Sequence, residues 1–159
     1  MRRAAFLLTF LFVASIPATA QDIAFRGWGV RAGVADDPDQ IVLGAQFNFG
    51  EFIENLRFQP NVEVGFGDDA NIFSATLPVH YRYAASRSLT LYGGGGLTLG
   101  LIDLDEDNRR GDDDGSEFDI SPMLAGGLEW PMGGNQMSLE LNVTGGDFPR
   151  AKLVVGWMF

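Results

Sequence analysis

From Gly27 to Phe159, apolar and polar residues alternate with a period of two. That is the mark of strands with one apolar and one polar face. The clearest stretch is Gln136 to Thr144, where Met137, Leu139, Leu141 and Val143 share one face and Gln136, Ser138, Glu140, Asn142 and Thr144 the other. Seven further segments follow the rule, around 25–34, 40–49, 56–66, 72–83, 89–101, 118–130 and 150–159. Gly, Asp, Asn and Pro fill the connections, as turns require. Pro60, Pro78 and Pro122 fall inside segments whose alternation continues through them, so a bulge is expected at each. Glu51 to Leu56 is short enough to hold a single helical turn.

Eight antiparallel strands of about ten residues predict an all-β, up-and-down barrel, in which closure removes unpaired edges. Two such barrels fit. A soluble, lipocalin-like barrel turns its apolar face inward around a ligand, whereas a transmembrane barrel turns it outward to lipid. The polar face decides between them. Beyond Gly, Ser, Thr, Asn and Gln it carries only Arg31, Arg57, Arg82, Arg150, Lys152, Glu63, Asp119, Glu129 and Glu140 as charges, too few for a surface in water. The aromatics also collect at two levels. Phe47, Phe49, Tyr81, Tyr83, Trp130, Trp157 and Phe159 fall at one rim, and Phe66, Phe73, Phe118 and Phe148 at the other. Paired aromatic girdles mark the two membrane interfaces, so the transmembrane barrel is the expected fold.

The N-terminal residues carry a different pattern. Arg2 and Arg3 precede an apolar run from Ala4 to Ile16, and Ala18-Thr19-Ala20 supplies a small-x-small cleavage site. Residues 1–20 therefore read as a cleavable signal peptide and 21–159 as the exported barrel. The run is too short to span a membrane as a helix. There is no cysteine, so neither a disulfide nor a lipidated cysteine is available. The full chain of 159 residues has a formal charge of −10 and only one lysine. That balance argues against nucleic acid, which needs a basic surface.

The closing stretch from Arg150 to Phe159 resembles the C-terminal signal of bacterial outer-membrane barrels, with Phe159, Trp157, Val155, Leu153 and Ala151 in the alternating positions. The chain from 21 onward is similar to the small eight-stranded barrels of the OmpA transmembrane-domain and OmpX kind. The segment Asn55 to Gly67 and the run Tyr92-Gly93-Gly94-Gly95-Gly96-Leu97 also look like outer-membrane barrel families of Gram-negative bacteria. The resemblance implies outer-membrane location and a lipid and lipopolysaccharide environment. It further implies recognition of Phe159 and Trp157 by the barrel-assembly machinery. A monomer is expected. The resemblance does not imply an activity, because such barrels serve many.

Candidate chemistry is sparse. Arg31, Glu63, Glu140 and Lys152 occupy inward positions and are expected to form a lumen ion network, since charges in such an interior must be paired. The inward glycines Gly27, Gly29, Gly44, Gly94, Gly96 and Gly127 leave a narrow channel as the alternative. The side chains of an eight-stranded barrel normally fill it, which favours a structural or surface-interaction role. A lipid-modifying enzyme of this fold uses a His and a Ser near the outer leaflet. The single histidine, His80, has no matching serine and reads as a hydrogen-bonding residue of the lumen. No cofactor motif is present: the glycine run 93–96 lies within a strand and no helix follows it.

Charge sorts to one end. With both termini periplasmic, the outer loops are 35–39, 67–71, 102–117 and 145–149, and they hold 14 of the 21 acids with Arg109 and Arg110 as their only bases. Asp103, Asp105, Asp107, Asp112 and Asp114 in the longest loop begin like a calcium loop, but Asn108 stands where the turn glycine belongs and strands flank it. A loosely bound divalent cation, bridging this rim to lipopolysaccharide phosphates, is the most such a loop suggests. In refolded protein, millimolar calcium should then protect loop 102–117 from proteolysis where sodium of matched ionic strength does not. Equal protection by the two salts leaves only a solvated acidic rim.

Overall fold

A computed structural model describes residues 24–37, 39–67, 70–104 and 116–159, so the signal segment 1–20 and most of the acidic loop lie outside the described residues. The described chain is all-β. Its strands are β1 (Gly27–Asp36), β2 (Gln40–Asn48), β3 (Glu51–Ile53), β4 (Leu56–Phe58), β5 (Asn61–Phe66), β6 (Ala70–Ala84), β7 (Thr90–Leu104), β8 (Ser116–Met132), β9 (Asn135–Thr144) and β10 (Ala151–Met158). They make eight staves, because β2 with β3 and β4 with β5 are each one interrupted strand. The ladder runs antiparallel throughout, and β1 pairs with β10 to close the barrel.

The two interruptions differ in kind. At Gln59-Pro60 the register is unbroken: Phe58 faces Val79 and Asn61 faces Thr76, an equal offset on both sides. The proline removes one donor, but its own carbonyl accepts from Phe47 N at 2.8 Å. Pro78 opposite Gly96 and Pro122 opposite Leu97 are likewise in continuous register. The bulges expected at the three prolines are therefore absent, since each loses a single ladder bond and its neighbours hold the register. The irregularity lies instead at Gly50, whose φ of 84° suits glycine and whose N–H donates to Asn48 Oδ1 at 2.8 Å. It shifts the ladder by one residue, so that Glu51 faces Arg57. Residues 51–56, expected as a possible helical turn, instead form the short β3–β4 hairpin, turning at Asn55 with φ 67°.

The faces are inverted relative to a soluble barrel. Leu97, Ile120 and Leu124 point outward and are 49%, 52% and 68% exposed, whereas Glu63, Thr76 and Asn142 point inward and are each 2% exposed. This polarity excludes the lipocalin-like alternative and makes the outer surface a lipid-facing one. Trp28, Tyr81, Tyr83 and Phe159 ring the end with short turns, and Phe66, Phe73 and Phe118 the end with long loops. In outer-membrane barrels these ends face periplasm and exterior respectively.

Phe148 departs from the expected girdle. It is 3% exposed and packs with Ile72 and Ile102 inside the outer mouth. It sits on the β9–β10 connection, which folds back: Gly145 N donates to Pro122 O at 3.0 Å and Asp147 N to Asp119 Oδ2 at 3.2 Å. Gly100 makes room for the ring, since a Cβ there would stand 2.9 Å from Phe148 Cε1.

A charge placed on the outer face should be penalised by the bilayer. Leu97→Arg is expected to lower folding stability in phospholipid vesicles by about 2–4 kcal/mol, with Leu97→Ile nearly neutral. Reversible urea unfolding measures both.

Candidate functional site: the charged lumen

Two tiers of ion pairs cross the lumen. In the outer tier, Arg31 on β1 stands between two carboxylates. Its Nε lies 2.6 Å from Glu63 Oε1 on β5 and its Nη2 donates to Glu140 Oε1 on β9 at 2.8 Å. Lys152 Nζ on β10 pairs with Glu63 Oε2. Glu140 also accepts from Tyr92 OH at 2.9 Å and from Asn142 Nδ2 at 3.0 Å. The four residues expected to meet in the lumen, Arg31, Glu63, Glu140 and Lys152, are thus brought together as one connected cluster. All but Lys152 are almost fully buried.

The inner tier centres on Glu129 of β8. It pairs with Arg57 of β4 and, at 3.1 Å, with Arg82 Nη2 of β6, and it accepts from Gln136 Nε2 at 3.1 Å. Arg82 Nη1 extends the tier to Glu51 Oε1 at 3.3 Å. Arg57 lies over the Tyr92 ring, 5.8 Å from its centroid, and His80 lies tilted against the same ring with centroids 4.9 Å apart. Tyr92 and His80 therefore form the layer joining the tiers. His80 is buried, with Nε2 3.9 Å from Glu140 Oε2, and neither ring nitrogen has a hydrogen-bond partner. The hydrogen-bonding role expected of it is not seen; it lies against the Tyr92 ring and near the Glu140 carboxylate.

Alternation alone does not single out this inner tier. The pattern places Arg57, Arg82 and Glu129 on the polar face, but Glu51 falls in an expected turn and the barrel's stagger hides which strands face one another across it.

The glycines explain how so many large side chains fit. Arg31 has Gly44 and Gly156 as its two cross-strand neighbours. Glu63 faces Gly44, Tyr92 and Glu140 both face Gly127, and His80 faces Gly94. A Cβ at Gly44 would meet Glu63 Cγ at 2.7 Å, and one at Gly127 would meet Tyr92 Cζ at 2.6 Å. Of the inward glycines that suggested a channel, Gly44, Gly94 and Gly127 each stand opposite a large polar side chain. Between the outer tier and the Phe148 plug the structure leaves a cavity of about 20 Å³, lined by Val42, Glu63, Ile72 and Lys152 among others.

Of the acidic candidates, Asp103 lies on the β7 backbone opposite Asn71 and Ser116. Asp105, Asp107, Asp112 and Asp114 lie outside the described residues. At the same end Asp37 pairs with Arg150 at 3.0 Å, both exposed, and Asp119 accepts from Ser121 Oγ at 2.7 Å.

Filling Gly127 should disturb the joining layer. Gly127→Ala forces the Tyr92 ring aside and strains its bond to Glu140, at a cost of about 1–3 kcal/mol. Adding Tyr92→Leu should recover part of that loss. Unfolding midpoints of the single and double variants check both outcomes.

No family model matches the sequence, and no curated protein matches it. Solved structures do match. The N-terminal β-barrel domain of Pseudomonas aeruginosa OprF is 16% identical with a TM-score of 0.61, over 84% of this chain and 97% of that one. Neisserial surface protein A is 15% identical with a TM-score of 0.61, over 82% and 92%. The Yersinia pestis outer membrane protein Ail in a phospholipid nanodisc is 12% identical with a TM-score of 0.51, over 84% and 97%. With the inverted faces, the closed ladder and the girdles, the chain has the fold of the small eight-stranded outer-membrane β-barrels.

Proposed function

We propose that the protein is a structural or surface-interaction barrel of the outer membrane, whose lumen is closed by its own side chains and whose acidic loops face outward. The observation that carries this reading is the filled interior. Two paired tiers, a packed Tyr92–His80 layer and the Phe148 plug lie in series along the lumen. A conducting lumen would need a continuous water-filled path, and these side chains occupy it. His80 faces this lumen and not the lipid surface, where chemistry on an acyl chain would take place. With the interior occupied, the loops remain as the part able to meet partners. They carry most of the acids, so cations and lipopolysaccharide phosphates bridged by them fit best.

Assembly belongs to the same reading. Phe159 lies at the β1–β10 closure, its N–H donating to Trp28 O at 2.9 Å and its ring 5.1 Å from that of Trp28. A ring exposed at the closing seam suits recognition by the barrel-assembly machinery.

The test is conductance. Purified barrel in a planar bilayer should show no discrete current steps at moderate voltage. Sustained steps would favour the narrow channel over the scaffold.

A further inference from the structure

At the end with the short turns, the lumen opens into a pocket of about 250 Å³ lined by Arg26, Asn48, Gly50, Glu51, Arg57 and Arg82. We propose that this inner mouth binds a small oxyanion, a carboxylate or phosphate group, between the guanidinium groups of Arg26, Arg57 and Arg82. Three cations meet two carboxylates here, and only one of those carboxylates lines the pocket. Glu129 lies deeper and holds Arg57 and Arg82 by their Nη2 atoms. That fixes the planes of both guanidinium groups before any ligand arrives, which lowers the ordering cost of binding.

Two of the remaining donors lack acceptors. Arg57 Nε is buried and Arg82 Nε is shielded, and neither has a hydrogen-bond partner. An N–H without an acceptor is costly, so neither guanidinium is fully satisfied by the protein's own carboxylates. Arg26 is exposed at the pocket edge, held through its own backbone N–H to Asn48 O at 2.8 Å, and its side chain has no ion pair among the described residues. The guanidinium fork matches the paired oxygens of a carboxylate or phosphate.

Glu51 is the internal competitor. The Gly50 bulge carries it to the pocket wall, where its Oε1 reaches Arg82 Nη1 at 3.3 Å. Both side chains are partly exposed, so this pair is worth little and is displaceable. A water takes about 30 Å³, so the pocket has room for one oxyanion and several waters. The oxyanion has two sources: a soluble anion of the periplasm, or the phosphate of a lipid headgroup from the inner leaflet.

The experiment uses ¹⁵N-labelled barrel folded in maltoside micelles, which contain no phosphate. Sodium phosphate is titrated against sodium chloride at matched ionic strength, and the Nε–H signals of Arg57 and Arg82 are read. Phosphate should shift both saturably in the millimolar range. Arg26→Ala should weaken the apparent affinity by about tenfold, and Glu51→Gln should tighten it severalfold by removing the competitor. Both positions are exposed or partly exposed, and unchanged heat-modifiable migration verifies that the variants fold. The proposal is overturned if chloride reproduces the shifts, or if neither substitution moves the phosphate curve. Transfer to phospholipid nanodiscs separates the sources. A headgroup ligand places both signals at their bound positions before phosphate is added, whereas a soluble ligand leaves them titrating as in micelles.

Discussion

A barrel whose outer wall faces hydrocarbon must turn every charge inward, and an inward charge in a narrow lumen must find its opposite there. Most of this structure follows from that constraint. The lumen carries Arg31, Arg57, Arg82 and Lys152 against Glu51, Glu63, Glu129 and Glu140, four cations and four anions, each with an opposite charge within reach. Buried pairs add little to stability compared with apolar packing, but a partner left alone is strongly unfavourable. The network therefore acts as a selector. A register in which Arg31 met no carboxylate would be penalised on every strand at once, because a one-residue slip also turns the apolar face inward.

The same constraint sets where glycine stands. In the outer tier, large polar groups opposite one another would crowd the narrow lumen of an eight-stranded barrel, whereas in the inner tier Arg57 does face His80 and Arg82 faces Tyr92. Alternating large with absent side chains across the ladder solves the problem: Gly44 and Gly156 flank Arg31, and Gly127 lies between Tyr92 and Glu140. A glycine-rich lumen is thus compatible with a filled one. Outside the tiers, apolar groups finish the closure, with Phe148 reaching in from a loop to meet Ile72 and Ile102.

Much of the fold was legible in the sequence because a period of two survives in every stave, and the chemistry of the polar face told lipid from water outside. The inward positions of Arg31, Glu63, Glu140 and Lys152 followed from the same alternation. What alternation cannot carry is everything set across the barrel. Glu129 is remote in sequence from Arg57 and Arg82, and its pairing depends on stagger, which no single strand records. Phe148 leaves the expected girdle because it lies on a connection, where alternation says nothing about direction. The prolines misled for a related reason: a missing donor is visible in sequence, but the neighbouring carbonyl that keeps the ladder in register is not. The Gly50 bulge escaped notice because it needs one positive φ and one Asn48 side chain, a signal no stronger than any other turn glycine.

The central claim is that the lumen charges are held as mutually dependent pairs. A double-mutant cycle on Arg31 and Glu140 in phospholipid vesicles tests it most directly. Arg31→Met and Glu140→Leu should each destabilise by about 3–5 kcal/mol, and the double variant by much less than their sum, since an apolar pair replaces an ionic one without leaving either partner exposed to an empty site. Small, additive effects of the two substitutions would contradict the account.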